Sequence, residues 1–454
     1  SEMFTKVHEI IARCGGALGP IDALDISCAI ALNVVCGGVR RSSLIALGDP
    51  GDQEFINAKV GLWTDPEKRK VSWRVMSNNS AVYDTGEKPS KEEMFDLFDR
   101  ILLIGEPGFF NLGAAKKRRP NAATANPCNE IILADRGVCN LSTVILSSFV
   151  EPVQDEINGG YRFSLNMERL AEAFRLAVRI GLRQTNVTLS MPEWDYVQKR
   201  DRLTGVSMTG IMDALDSIGM DSGSLDASYL FATLNDVANE EATRYAHEMR
   251  VPRPLLVTAL KPEGTSSQLP TVSSGLHRSY APFFIRRIRV SANDPVCAAL
   301  KSLGVSNEPD VSKPDRTVFS FPLKSSAHMS ANQESAIDQL RRYHNLQRNY
   351  TDHNSSCTLT FSKEEIPELI DGILEGWDDT IGIALLPKYE AFDDKPYPQM
   401  PYEEITQSRY LEMTATFPDL THLSDIVNRF ERGELEEVEL EADPTCGTGG
   451  CPIR

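Results

Sequence analysis

Apolar residues recur at helical spacing in several stretches of the chain and form short continuous runs in others. Ser90-Lys91-Glu92-Glu93 has the form of a helix capping box, and apolar side chains follow it at helical spacing: Met94, Leu97, Phe98, Ile101 and Leu102. This pattern predicts an amphipathic helix that packs on a sheet. Residues 167–182 and 224–249 are further helical stretches, and residues 255–260 form a short apolar run typical of a strand. Alternating helices and strands predict an α/β fold with parallel strands and crossover connections.

The composition of the chain changes near its end. Residues 431–443 are dense in glutamate and poor in apolar side chains, which predicts a solvated segment rather than part of a core. Cys446 and Cys451 follow, separated by glycine-rich sequence. We therefore expect two parts: a folded body over residues 1–425 and an acidic, flexible tail over residues 426–454.

Charge and cysteine usage narrow the function classes. The chain of 454 residues has a formal net charge of −17, which argues against nonspecific binding to nucleic acid or to an anionic membrane surface. It has no apolar run of about eighteen residues that would predict a membrane span. Nine cysteines without a dense framework fit catalytic thiols in a reducing, cytoplasmic compartment. Paired metal-ligand spacings are missing, so we predict no metal site on protein ligands.

The most informative motif is Asn126-Pro127-Cys128-Asn129-Glu130, followed by Cys139-Asn140-Leu141. A carboxylate two residues from a thiol can act as a general base once water is excluded, and a second thiol adds redox capacity. Pro127 is expected to hold the loop extended before the thiol. Taken alone, such a motif more often marks a buried cysteine beside a turn, so the interpretation depends on the rest of the chain.

A second motif follows the apolar run at residues 255–260. It is Pro262-Glu263-Gly264-Thr265-Ser266-Ser267, in which hydroxyl residues come directly after a glycine turn. If these residues open a new helix, backbone N–H groups and the helix dipole face an anion. The sequence therefore predicts an anion site with Thr265, Ser266 and Ser267 as its contacts, although an isolated hexapeptide of this kind more often caps a helix.

The third functional motif is the cysteine pair of the tail. Two thiols on a mobile arm can exchange with a buried disulfide and then be reduced outside the site. Cys446 and Cys451 are therefore predicted to be a redox pair. Metal binding, or no role at all, is the alternative.

Together these motifs resemble those of ribonucleotide reductases, whose signature is Asn-x-Cys-x-Glu with Cys-Asn-Leu downstream. The resemblance covers nearly the whole chain and is nearest to the adenosylcobalamin-dependent class II enzymes, especially the monomeric ribonucleoside-triphosphate reductases. The run Tyr280-Ala281-Pro282-Phe283-Phe284-Ile285-Arg286-Arg287 is the part most similar to the triphosphate enzymes. An iron-dependent class would be expected to carry a tyrosine pair near its end, and the final thirty residues contain no tyrosine.

The resemblance implies a role for each motif. Cys128 becomes a thiyl radical and takes the 3'-hydrogen of the substrate, and Glu130 receives the 3'-hydroxyl proton. Asn126 hydrogen-bonds the sugar hydroxyls, and Cys139 is half of the reducing pair. Residues 262–267 bind the substrate phosphates. The cofactor is adenosylcobalamin, the substrate is a ribonucleoside triphosphate, and the tail pair passes electrons from thioredoxin or a similar dithiol protein.

The fold that the resemblance implies is a ten-stranded α/β barrel of two five-stranded halves, with the thiol loop at its centre. In this family a large amino-terminal region precedes the part that matches residue 1, and it carries the partner of Cys139. We therefore expect this chain to be the carboxy-terminal part of a reductase, with residues 1–425 supplying part of the barrel and an amino-terminal reductase polypeptide supplying the rest. Cys128 is expected to be buried beside Glu130.

Some alternatives stay open at this point. The substrate could be a ribonucleoside diphosphate rather than a triphosphate. A deoxynucleoside-triphosphate effector is expected from the resemblance, but no residues of this chain can be assigned to it. The chain could also be a non-catalytic fragment of a split reductase that keeps the fold and lacks a complete site.

Overall fold

The computed structural model describes residues 2–36, 39–40, 42–62, 65–84, 86–155, 159–311, 315–325, 331–388 and 399–435. Helices dominate these residues. They are α1 (Glu2–Arg13), α2 (Pro20–Ala31), α3 (Gln53–Ile56), α4 (Pro66–Arg69), α5 (Lys91–Ile104), α6 (Leu112–Arg118), α7 (Met167–Gln184), α8 (Pro192–Asp201), α9 (Ile211–Ile218), α10 (Leu225–Met249), α11 (Pro295–Ser302), α12 (Ala336–Asn349), α13 (Ile366–Glu375), α14 (Gln407–Ala415) and α15 (Leu423–Glu431). In the described part of the chain, none of them is long and apolar enough to cross a membrane.

The strands are short. They are β1 (Val35–Cys36), β2 (Val39–Arg40), β3 (Ile45–Gly48), β4 (Asn78–Tyr83), β5 (Gly108–Asn111), β6 (Thr124–Ala125), β7 (Ile132–Leu133), β8 (Leu141–Ile145), β9 (Val150–Gln154), β10 (Tyr161–Leu165), β11 (Gly205–Thr209), β12 (Phe283–Ser291), β13 (Asn307–Pro309), β14 (Arg316–Lys324), β15 (Thr358–Phe361), β16 (Gly382–Pro387) and β17 (Tyr402–Glu404).

The chain divides into two compact units. The first comprises Ser1–Pro282 and Ser325–Tyr389, and the second comprises Phe283–Lys324 and Glu390–Arg454. Within the second unit, the sheet order is β13-β14-β12-β17, and Cys297, Leu300, Val305 and Phe319 form its buried core. Helix α15 runs across position 425, where the sequence predicts the end of the folded body. The division into a body and a tail stays a prediction, because residues 436–454 lie outside the described residues.

The first unit contains a five-stranded sheet in the order β15-β16-β5-β4-β3. Strands β3, β4 and β5 are parallel to one another, β5 is antiparallel to β16, and β16 is parallel to β15. Parallel strands buried under crossover helices are the arrangement that the alternating pattern predicts. The predicted α/β class is confirmed.

Two single bridges extend this order. Strand β8 is parallel to β11, Val206 of β11 bridges Thr258, and Leu260 bridges Ser355 just before β15. One half therefore has five parallel positions, which are β8, β11, residues 258–260, the 355–361 segment and β16. The other half has three parallel strands, β3, β4 and β5. The two halves meet at β5 and β16, which are antiparallel. This arrangement fits the expected two-half architecture, and β3 and β8 stand at the two ends of the order.

The capping box at residues 90–93 forms as predicted. The Ser90 hydroxyl accepts from the Glu93 N–H at 3.2 Å, and the Glu93 carboxylate accepts from the Ser90 N–H at 2.7 Å. Helix α5 then buries Met94, Phe98 and Ile101 in the main core. The helix ends at Gly105, whose φ of 73° is easily adopted by glycine.

This cap gives a first testable prediction. Replacing Ser90 by alanine is expected to lower the free energy of unfolding by about 1 kcal/mol, because the Glu93 N–H in the first turn loses its acceptor, the Ser90 hydroxyl. Ser90→Asp keeps an acceptor at the cap and is the control, expected to unfold close to the wild type. Urea denaturation measures both variants, and equal midpoints for alanine and wild type would contradict the assignment of the cap.

Candidate functional site

The thiol motif lies at the tip of a short hairpin. Strands β6 and β7 pair antiparallel through Thr124–Leu133 and Ala125–Ile132, and residues 126–131 connect them. The Asn129 N–H donates to the Asn126 carbonyl at 2.7 Å, so residues 126–129 form a tight turn. Pro127 stands at its second position, where the fixed φ of proline is favourable. The expected extended loop is therefore wrong: the proline places the thiol at the corner of a turn.

Cys128 opens into a cavity of about 400 Å³ within the first unit. Asn78, Asn79, Glu106, Cys357 and the residues of β16 as far as Leu386 are among those that line it. The expectation that Cys128 is buried is wrong, because solvent reaches this side chain. The packed surroundings nevertheless raise the pKa of the thiol, first by desolvation and then by the charge of Glu130. The resting group is therefore the neutral thiol.

Glu130 points to the interior. It is only 2% exposed, and burial raises the pKa of its carboxyl, while a hydrogen bond from Asn126 and the charge of Lys261 lower it. Its Oε2 atom is buried and has no hydrogen-bond partner among the described residues. A buried carboxylate oxygen without a donor is costly unless something binds it. This atom is therefore placed to take a proton or accept a hydrogen bond from a ligand.

Asn126 is engaged in shaping the turn. It is buried, and its Oδ1 accepts from the Ile131 N–H at 2.8 Å. Its side chain also forms a hydrogen bond with the Glu130 carboxylate. The side chain thus connects the two ends of the thiol loop, and its predicted contact with sugar hydroxyls stays a prediction.

Cys139 lies beside the same groups. It is half-buried, and burial raises its pKa to about 12, with further contributions from Glu130 and Cys128. Both thiols therefore lie within electrostatic range of one carboxylate and of each other. The structure brings together the four residues that the sequence singles out, Asn126, Cys128, Glu130 and Cys139.

Residues 262–267 form a loop whose exposed apex is Gly264, Thr265 and Ser266. Glu263, in contrast, is buried with a φ of 54°, and its carboxylate accepts from the hydroxyls of Thr143 and Ser266. Only a three-residue 3₁₀ turn, Ser266–Gln268, follows. The expected helix and its dipole are therefore wrong. Ser267 is buried, and its hydroxyl has no partner among the described residues.

Sequence reasoning missed Lys261, which directly precedes this loop. Its ammonium lies 3.1 Å from the Glu263 carboxylate and 3.3 Å from the Thr143 hydroxyl. The same charge lowers the pKa of Cys128 and of Glu130. A lysine immediately before a Pro-Glu turn was the available signal. The tail pair Cys446 and Cys451 lies outside the described residues.

The sequence and the fold were compared with those of known proteins, and the similarities are consistent with the geometry of the site. Residues 39–255 match the family model described as the ribonucleotide reductase barrel domain. A solved structure titled as a B-12 dependent (class II) ribonucleotide reductase superposes with a TM-score of 0.77 at 25% identity, covering 96% of this chain and 61% of that chain. An Actinobacillus ureae class Id reductase alpha subunit shares the fold at a TM-score of 0.55 and 14% identity, over 82% of this chain and 75% of that chain. The fold is similar to that of a class II ribonucleotide reductase, and the thiol hairpin, residues 124–133, lies within the region that matches the reductase barrel domain.

Curated relatives narrow the class further. The adenosylcobalamin-dependent ribonucleoside-triphosphate reductase of Lactobacillus acidophilus is 32% identical, and that of Lactobacillus leichmannii is 27% identical. Each alignment covers 100% of this chain and 62% of the relative. The chain is thus similar to adenosylcobalamin-dependent ribonucleoside-triphosphate reductases along its whole length. It spans about 62% of the length of the relatives that it matches.

Proposed function

We propose that this chain is the catalytic part of a class II reductase that converts ribonucleoside triphosphates to 2'-deoxyribonucleoside triphosphates for DNA synthesis. The observation that carries the proposal is the grouping of Cys128 and Glu130 in the loop of the thiol hairpin with Cys139 beside them, and the cavity of about 400 Å³ into which Cys128 opens. Two thiols and a buried carboxylate supply the radical, acid/base and reducing groups that this reduction requires.

Each residue has a definite task in the proposed reaction. Cys128, as a thiyl radical, takes the 3'-hydrogen of the ribose, while the unpartnered Oε2 of Glu130 receives the 3'-hydroxyl proton. The 2'-hydroxyl then leaves as water with a proton from the dithiol pair. That pair is oxidised to a disulfide as the ribose is reduced by two electrons. At the end the 3' carbon takes a hydrogen back from the Cys128 thiol, which restores the thiyl radical. Cys139 is one member of the pair.

The similarity to adenosylcobalamin-dependent relatives supports adenosylcobalamin as the cofactor. When bound, it supplies a carbon-centred radical by homolysis of its cobalt–carbon bond. The chain offers a place for the adenosyl group, because the cavity that contains Cys128 is walled by small residues, Gly105, Gly108 and Gly382, with Glu106 as a polar partner. Those residues would hold the group next to the thiol.

Lys261 and the loop that follows it are proposed to receive the triphosphate. The ammonium of Lys261 and the exposed hydroxyl of Thr265 can bind phosphate oxygens. Pro262, Glu263, Gly264, Ser266 and Ser267 form the rest of the loop, and Ser266 would have to release Glu263 to donate to a phosphate. The names of the relatives support a triphosphate rather than a diphosphate substrate. A deoxynucleotide effector is expected as well, with no residues assigned to it.

Lys261 gives a prediction that concerns pH. Its positive charge stabilises the carboxylate form of Glu130, so Lys261→Met is expected to raise the pKa of Glu130 further. Because the carboxylate is the form that accepts a proton, the acidic limb of kcat/KM should move to higher pH. Lys261→Arg keeps the charge and serves as the control, with the limb near its original position. An unmoved limb in Lys261→Met would contradict the electrostatic link.

Electron supply is proposed to run through the tail. Cys446 and Cys451 would reduce the disulfide of Cys139 and its partner by thiol–disulfide exchange, and thioredoxin or a similar dithiol protein would then reduce the tail. The cysteine usage of the chain fits a reducing compartment, and we place the protein in the cytoplasm.

An amino-terminal reductase polypeptide is proposed to complete the enzyme. Among the described residues the strand order ends at β3 and β8, and strand edges of this kind are suited to pairing with further strands. Solvent also reaches Cys128, although a thiyl radical must be shielded from it. A polypeptide that covers the site and contributes the partner of Cys139 would answer both needs. The same solvent access favours the alternative that the chain alone is a non-catalytic fragment.

The decisive experiment combines this chain with the amino-terminal region of a class II reductase, adenosylcobalamin, a ribonucleoside triphosphate and a dithiol. Formation of the deoxynucleotide is the expected result, and the chain by itself should form little or none. Diphosphate substrates run in parallel separate the two substrate classes. If no combination yields deoxynucleotide, the non-catalytic alternative is favoured.

A further inference from the structure

The backbone of the thiol loop is held from outside at four consecutive carbonyls. The donors come from β4 and from the polar segment before β15, which are distant in sequence from the loop. Asn78 Nδ2 donates to the Pro127 oxygen at 3.0 Å, Ser356 Oγ to the Cys128 oxygen at 2.5 Å, Asn354 Nδ2 to the Asn129 oxygen at 2.7 Å, and the Asn354 N–H to the Glu130 oxygen at 3.0 Å.

Asn354 is itself fixed on every side. It is fully buried, and its Nδ2 also donates to the Gly382 carbonyl at 2.9 Å. Its Oδ1 accepts from the Tyr343 hydroxyl at 2.9 Å, and that hydroxyl accepts from the Ile381 N–H at 3.0 Å. A side chain whose donors and acceptor are all used has one orientation. Asn354 therefore connects the rigid helix α12 to the loop.

Ser356 contacts the reactive residue directly. It is buried at the wall of the Cys128 cavity, and its N–H donates to the Leu260 carbonyl at 3.0 Å, which secures its backbone in the strand order. Its hydroxyl meets the carbonyl of Cys128 itself. No other side chain among the described residues is recorded as donating to that carbonyl.

The hairpin needs this support, because β6 and β7 pair through only two residue pairs. Two-stranded ribbons of this length are barely stable alone, so the tip would otherwise sample several positions. We propose that Asn354 and Ser356 are positioning residues that hold the Cys128 thiol against Glu130 and Cys139. The catalytic consequence rests on the proposed function, whereas the placement of the thiol does not.

The first test measures thiol chemistry without turnover. In the wild type, the surroundings and Glu130 keep the pKa of Cys128 high, which slows its alkylation by iodoacetamide at neutral pH. Ser356→Ala should let the thiol move away from the carboxylate and react about 3- to 10-fold faster at pH 7.5, as a lower pKa makes more thiolate. Mass spectrometry of the peptide that contains Cys128, from the full 454-residue chain, gives the rate.

Two matched variants make this test specific. Ser356→Thr keeps a hydroxyl and should restore the wild-type rate. Ser355→Ala removes the neighbouring hydroxyl, which contacts Thr351 rather than the loop, and should leave the rate unchanged. A rate for Ser356→Ala within twofold of the wild type, or an equal rise in Ser355→Ala, would overturn the proposal. Thermal denaturation identifies any variant whose change reflects general unfolding.

The second test uses the assembled reductase. Misplacing a reacting group by about 1 Å can cost on the order of 100-fold in rate, so Ser356→Ala should lower kcat by about 10- to 100-fold with KM within about twofold. An unchanged kcat would overturn the positioning role. If the alkylation rate responds as expected and no reductase activity exists in the wild type, the proposed function fails while the placement of the thiol by Ser356 stands.

Discussion

Replacing Cys128 by serine is expected to abolish deoxynucleotide formation, lowering turnover by at least about 1,000-fold, the scale on which loss of an essential reacting group acts. An S–H bond gives up its hydrogen far more readily than an O–H bond, so serine cannot hold the radical at this position. The measurement is deoxynucleotide formation in the assembled system. Turnover within about tenfold of the wild type would end the assignment of Cys128 as the radical residue.

Replacing Cys128 by serine removes the thiol without removing the hydrogen bonds that hold the loop. The bond from Ser356 reaches the carbonyl of Cys128 rather than its side chain, so serine at 128 leaves the turn and its outside donors intact. Cys14→Ser is the matched control, because Cys14 is a half-buried thiol just after α1, where its sulfur interacts with the Ile10 carbonyl and with Asp22 and not with the thiol loop. It should keep full turnover.

Local sequence signals were sufficient for the helices and for the class of fold. Ser90 and Glu93 are three residues apart, and their mutual capping bonds need no tertiary contact. The order of the strands, in contrast, could not be predicted from local signals. Leu260 bridges Ser355, and β16 lies beside β5, and neither pairing follows from the periodicity of the segments. The resemblance to a family, rather than the pattern itself, supplied the expectation of two halves.

In the site as well, some features follow from local sequence and others depend on tertiary packing. Asn126, Cys128 and Glu130 come together because a short hairpin brings near neighbours in sequence to one point, and Cys139 lies only a few residues beyond that hairpin. The solvent access of Cys128 and the inward turn of Glu263 depend on what packs around them, and no local pattern reports that. Asn354 and Ser356 were passed over because their partners lie more than 200 positions earlier in the chain.

Glu130→Gln is the second substitution with a large expected effect. Glutamine keeps the size and the hydrogen bonding of the side chain but cannot take the 3'-hydroxyl proton. General base catalysis contributes about 100- to 10,000-fold, so turnover should fall within that range. The acidic limb of the pH–rate profile should also disappear, because the group that titrates there is gone. A variant that keeps both its rate and its acidic limb would show that another residue takes the proton.

Stability separates this catalytic loss from damage to the fold. Burial raises the pKa of Glu130 above its usual value, so the folded protein binds that proton more tightly than the unfolded chain does. The stability that this group contributes is therefore present at low pH and is lost as pH rises through the folded pKa. Above that pKa, Glu130→Gln removes a buried charge and should unfold no more easily than the wild type. Glu241→Gln breaks the ion pairs of Glu241 with Arg179 of α7 and with Arg244 of α10. This variant should lose stability and keep its turnover. If Glu130→Gln instead unfolds more easily at neutral pH, its lost turnover reflects a structural role of the carboxylate.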